Sequence, residues 1–217
     1  MRKLFDNALS YFQQALNKNH RLIVAHIGMI QIYQYKGDRH GTKAALNSAL
    51  SVNRLSLYAR LYYMDSLQPR WGGSLRDMET FANSAQGYVS RNPHLKWLKG
   101  SVHYHKYFMC KHTGTGSNCS NRLAFLEQAL KYGDNPTVVF ARAKEYFFNN
   151  NYDKALEDLN WLIVKYPLFA DALAIRAKIY EKRGNQQQSN RDIDLALDVD
   201  PKNKQVEKFF GTRRLYR

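Results

Sequence analysis

The sequence has little proline and glycine: five and twelve residues in 217 are too few for the many short strands and turns of a sandwich. It has no run of about eighteen uncharged apolar residues, so no transmembrane segment is expected. Its first residues, Met1, Arg2, Lys3, Leu4, Phe5 and Asp6, lack the continuous apolar stretch of a secretory signal. The marks of common catalytic frameworks are missing as well. No G-x-x-x-x-G-K-S/T, G-x-S-x-G or H-E-x-x-H occurs, and no strand leads into a glycine-rich phosphate loop. The carboxylate pairs Glu157 with Asp158 and Asp192 with Asp194 fall on helix faces that are exposed or ion-paired, which suits them poorly to acid–base work. No catalysis is expected, and no cofactor.

What is present favours helices. Apolar residues make up 44% of the chain, enough for a sizeable core, and Leu, Ala, Lys, Gln and Asn are abundant. Acidic residues are the scarce charge: 18 against 33 basic ones give a formal net charge of +15. The excess is spread over the front, middle and end of the chain, so it is a basic body and not a basic tail. Such a field attracts nucleic acid, anionic lipid or an acidic protein, and it also keeps an elongated protein in solution.

The chain repeats itself. Shifted forward by 34 residues, Arg142, Ala143, Lys144 and Tyr146 fall on Arg176, Ala177, Lys178 and Tyr180. At the same shift Ala155 meets Ser189, Asp158 meets Asp192, Leu159 meets Ile193, Leu162 meets Ala196 and Pro167 meets Pro201. Small residues let two helices approach, aliphatic and aromatic ones fill the space between them, and each proline marks a unit boundary. These residues, with Gly184, resemble the tetratricopeptide repeat, a pair of antiparallel helices. The resemblance is close at the C-terminal end. It recurs at the front, where Ala8, Phe12 and Ala15 shift onto Thr42, Leu46 and Ala49, with Tyr33 and Gly37 ahead of them. Ile30 stands there where the pattern expects a small residue. Residues 4–17 read as a second helix without its first, as if the chain were cut from a longer protein.

The middle keeps helix and turn but loses the period. Residues 55–67 and 75–89 form one expected hairpin around Gln68, Pro69, Arg70, Trp71, Gly72, Gly73 and Ser74, with Ser74 and Asp77 spaced as a capping pair. Asn92 and Pro93 open a second, which turns at residues 113–118 and returns through Leu123, Leu126 and Leu130. The Pro-Arg-Trp-Gly-Gly-Ser turn with Met78, Phe81 and Ala82 is similar to a segment of an uncharacterised bacterial family, which implies no activity. The expected architecture is thus an all-α, right-handed solenoid of antiparallel helical hairpins. It divides into tetratricopeptide-like helices over 1–52, longer irregular hairpins over 53–135, two repeat units over 136–201 and a capping helix over 202–217, with Phe209 and Phe210 followed by Arg213, Arg214 and Arg217.

In tetratricopeptide proteins the first helix of each pair lines a concave groove. The resemblance therefore implies a partner-binding groove at Phe140, Lys144, Phe147, Phe148, Lys178 and Lys182, with Asp171 and Glu181 nearby. Lysines beside aromatics suit an acidic-hydrophobic peptide, and the expected function is an adaptor that binds another protein. The Lys and Asn clamp of the family's chaperone-tail binders is absent: its places hold Phe140 with Lys144, Ala174 with Lys178 and Ile27 with Gln31. The rival reading of the aromatics is packing against a neighbouring helix. A basic scaffold for nucleic acid or an anionic envelope surface is the alternative function, although no base-reading code recurs from unit to unit.

The remaining features have rival readings too. Arg142 with Asp158, and Arg176 with Asp192, read as ion pairs inside a repeat in preference to an anion site. Arg70 and Trp71 sit in a glycine-rich turn where a partner could touch them, or where Trp71 covers its own hairpin. Cys110 and Cys119 are spaced for a disulfide, for two free thiols or, with His103, His105 and His112, for a metal site that lacks C-x-x-C spacing. Free thiols fit the cytoplasm, and a bridge fits an oxidising compartment such as the periplasm.

Overall fold

The computed structural model describes residues 2–114 and 119–211. Among these the protein is all-α, with twelve α-helices, four short 3-10 turns and no strand. The chain forms two compact units, Met1–Phe108 and Met109–Arg217.

The first unit carries α1 (Arg2–Lys18), α2 (Ile23–Lys36), α3 (Arg39–Val52), α4 (Leu57–Ser66), α5 (Leu75–Ser84) and most of α6 (Trp97–Thr113). Two residues join α2 to α3. Gly37 stops α2 at a left-handed φ of 72°, and Asp38 starts α3 by accepting the Gly41 N–H at 2.8 Å. So short a joint makes the two helices antiparallel neighbours, and Ile30, Ala45, Leu46, Ala49 and Ala59 are buried together in their core. Ile30 is fully buried. The close approach expected at its position lies instead at Gly28, where a Cβ would overlap the Phe12 ring of α1.

The second hairpin of this unit begins as its capping pair dictates. Ser74 Oγ accepts the Asp77 N–H at 3.1 Å and donates to Asp77 Oδ2 at 2.6 Å. α5 stops at Ser84, short of the expected residue 89, and the backbone continues as a 3-10 turn over Gln86–Tyr88. Gly87 lies in that stretch, and a glycine there favours the tighter turn over another α-helical one. Asn92 Nδ2 then donates to the Leu55 carbonyl at 2.8 Å, tying the α6 entry to the start of α4. Met64, Met78, Ala82, Leu95, Leu98 and Val102 form the core they share.

The second unit carries α7 (Arg122–Leu130), α8 (Pro136–Phe148), α9 (Tyr152–Lys165), α10 (Ala170–Lys182), α11 (Gln186–Val199) and α12 (Lys204–Phe210). The 34-residue shift carries the ends of α8 onto those of α10, and those of α9 onto α11. Asn151 and Asn185 cap α9 and α11 in the same way, each accepting an N–H three residues on. Ala143, Ala155, Leu159, Leu162, Ile175 and Ile179 fill the core between α8, α9 and α10. Each fully buried Leu or Ile there contributes about 1.5–3 kcal/mol. Cys110, near the end of α6, is bonded to Cys119 across a sequence separation of 9. Of the expected capping helix, α12 is observed; Arg213, Arg214 and Arg217 lie outside the described residues, as do Thr115, Gly116, Ser117 and Asn118. No helix among the described residues is long and apolar enough to cross a membrane.

Candidate functional site

The expected groove residues lie on α8 and α10. Tyr146 and Phe147 turn toward the core, with Phe147 buried against Phe148, Tyr152 and Phe209 at ring separations of 5.2, 6.1 and 5.5 Å. Phe140 is half-buried and meets Phe169 at 4.6 Å. Phe148 is 53% exposed. Packing and exposure thus divide the aromatics: Phe147 is a core side chain, and Phe148 is the ring that reaches solvent.

The lysines differ from one another just as much. The Lys178 ammonium pairs with Glu181, donates to the Phe209 carbonyl at 3.3 Å and stands over the Phe210 ring. Lys144 lies 5.1 Å from the Phe140 centroid, and Lys182 lies 5.9 Å from that of Tyr152. Burial pushes the Lys144 ammonium below its ordinary value, and the positive charges of Lys111 and Lys208 add to the effect against a partial counterweight from Asp171. Among the described residues neither Lys144, Lys182 nor Lys208 has an ion-pair partner, whereas Asp171 is occupied by Asn203 at 2.9 Å. The local acids are spent on structure. A half-buried cation in a field of like charge remains.

Two members of this cluster were not expected from the sequence. Lys208 stands 5.6 Å over the Phe148 ring and 5.9 Å over that of Phe209, and Phe209 packs on the α8–α10 core. The signal was a pair of phenylalanines in an otherwise polar seven-residue helix, read only as a cap.

The repeated charges are ion pairs. Arg142 donates from Nε and Nη2 to the two oxygens of Asp158 at 2.9 and 2.7 Å, and Arg176 reaches Asp192 likewise at 2.7 and 2.8 Å. These bidentate bonds raise both guanidinium pKa values. Glu145, also buried, lies between Lys111 and Arg122 at 3.1 and 3.2 Å.

In the first unit, Trp71 packs edge-on against Tyr35 at 5.5 Å, and Arg70 stands over the rings of Trp71 and Phe108. The turn holding them has Gly72 at a φ of 82° and Gly73 pressed against the Leu67 carbonyl, both places closed to a side chain. Two cavities flank it. One, of about 250 Å³, includes Arg39, Lys43, Tyr63 and Trp71, and the other, of about 240 Å³, includes Asp65, Gln68, Arg70 and His105.

No family model and no curated protein matches the chain. Among solved structures it is similar to YrrB, described as a TPR protein with an unusual peptide-binding site, at 16% identity and a TM-score of 0.44, covering 91% of this chain and 96% of that one. Two structures of MamA are similar at 14% and 15% identity, with TM-scores of 0.38 and 0.41; they cover 91% and 87% of this chain and 90% and 94% of theirs. At these scores no residue role is carried across.

Proposed function

We propose that the protein is a non-catalytic interaction module whose second unit binds an acidic-hydrophobic peptide on the face formed by Phe140, Lys144, Phe148, Lys182 and Lys208. Lys144 carries the reading: a half-buried ammonium, close to two other cations and lying over an aromatic ring, gains most from a carboxylate brought by a partner. Phe147 and Lys178 belong to the same face as its support, one packed beneath it and one holding α12. Phe148 offers the apolar contact. The rest of the +15 charge speeds the encounter with an acidic partner. The Cys110–Cys119 bond is consistent with work in an oxidising compartment.

Charge reversal tests the reading. The double variant Lys144→Glu, Lys182→Glu should keep its helical circular dichroism and bind acidic-aromatic peptides at least about tenfold more weakly, mainly through slower association. Unchanged association would remove the face from the account. If RNA or DNA were the partner instead, affinity would fall steeply between low and moderate salt for any sequence of bases, and nuclease would abolish capture.

A further inference from the structure

The second cavity beside the Gln68–Gly73 turn contains two buried polar atoms that the protein leaves without partners: Gln68 Oε1 and His105 Nε2. Buried polar atoms are nearly always satisfied, and an orphan costs about 1–3 kcal/mol, so two lining one cavity call for a reason. The orientation of Gln68 follows from its neighbours. Its Nε2 donates to Asp65 Oδ1, and Asp65 also accepts from Gln34 Nε2 at 2.8 Å and from Arg70 Nη2 at 3.2 Å. A flipped amide would set its oxygen against the carboxylate, so Asp65 fixes Oε1 as the acceptor left over. His105 is only 5% exposed, and burial together with the nearby Arg70 lowers its pKa, which keeps the ring neutral at pH 7. A neutral imidazole carries one N–H, and with that proton on Nε2 the cavity offers one donor and one acceptor. Leu61, Met64, Met78 and Phe108 add apolar wall.

The charges at the cavity cancel, since Arg70 is paired with Asp65. Neither an anion nor a cation is favoured. The complement of one acceptor and one donor on an apolar wall is a planar, uncharged group with an N–H beside a C=O. We infer that this cavity is a binding site for a primary carboxamide, whose N–H donates to Gln68 Oε1 while its C=O accepts from His105 Nε2–H. The carboxamide comes from a glutamine or asparagine side chain of a bound peptide or from a small free amide. This site is independent of the α8–α10 face and stands or falls without it.

The test follows the His105 ring nitrogens by NMR in the full-length, histidine-labelled protein. Propionamide should shift Nε2 saturably, and butanone, which replaces the NH2 by a methyl group, should bind about tenfold more weakly. Gln68→Met should erase that preference. The two sources are separated by N-acetylglutamine methylamide: tighter binding than propionamide assigns the site to a peptide side chain, and weaker binding assigns it to a free amide. No saturable shift with propionamide, equal binding of butanone, or a preference that survives Gln68→Met would each overturn the site. The butanone comparison uses the unaltered protein, so the test holds even if Gln68→Met does not fold.

Discussion

At the scale of single residues, the ion pairs were readable because charges recur with the repeat. Arg142 and Arg176, with Asp158 and Asp192, move together under one 34-residue shift, and chance composition would not place opposite charges so on packed faces. Asp158→Ala should therefore lower stability by roughly 3 kcal/mol, because Arg142 would keep its charge in a largely buried place without the bidentate partner. Chemical denaturation measures this, and peptide affinity should stay unchanged; a stable variant with weakened binding would reassign the pair to a ligand site. His105 was not readable in the same way, since its burial and its unpartnered nitrogen depend on the packing of α6 against the turn. Its lowered pKa has a definite sign. Between that value and the unfolded value of about 6.5, the unfolded chain binds the proton that the folded ring resists, so stability rises with pH in this window and falls on acidification. Asp65 opposes the shift and Arg70 reinforces it. Urea midpoints at pH 7 and pH 5 should differ less in His105→Phe than in the unaltered protein; equal differences would contradict this origin.

Individual elements were legible wherever a cap and an apolar stripe agreed. Ser74 with Asp77, Asn92 with Pro93 and the asparagines before α9 and α11 each mark a helix start that the structure contains. The end of α5 was missed because nothing sharper than Gly87 announces it. α12 was expected as a cap, but its packing through Phe209 onto Phe147 needs a long-range contact that no local pattern encodes. The cysteines were undecided for the same reason: spacing sets the size of the loop and leaves open whether the geometry closes it. Their bond joins the end of α6 to the turn before α7. Closing so short a loop stabilises by about 2–3 kcal/mol. Reduction should therefore lower the melting temperature by several degrees, measured by calorimetry with and without reductant under non-reoxidising conditions. An unchanged melting temperature would mean that the bond constrains nothing in the unfolded chain that matters to the fold.

For the whole molecule, composition and periodicity were enough to reach an all-α chain of helical hairpins, and the structure has that architecture in both units. They were not enough to find the working surface. The repeat directs attention to α8 and α10, yet which lysines are spent on internal acids emerges only from three dimensions: Lys178 is paired, whereas Lys144, Lys182 and Lys208 are not. A net charge of +15 distributed along the chain attracts many polyanions, and the aromatic rings under the unpaired lysines are what select among them. The most direct test is a random-peptide display selection on the full chain at about 0.15 M salt, run beside the Lys144→Glu, Lys182→Glu variant. The account predicts enrichment of peptides that place Asp or Glu next to Phe, Leu or Trp, and loss of that enrichment on the variant. Peptides with no acidic bias, or the same acidic peptides on both proteins, would contradict it.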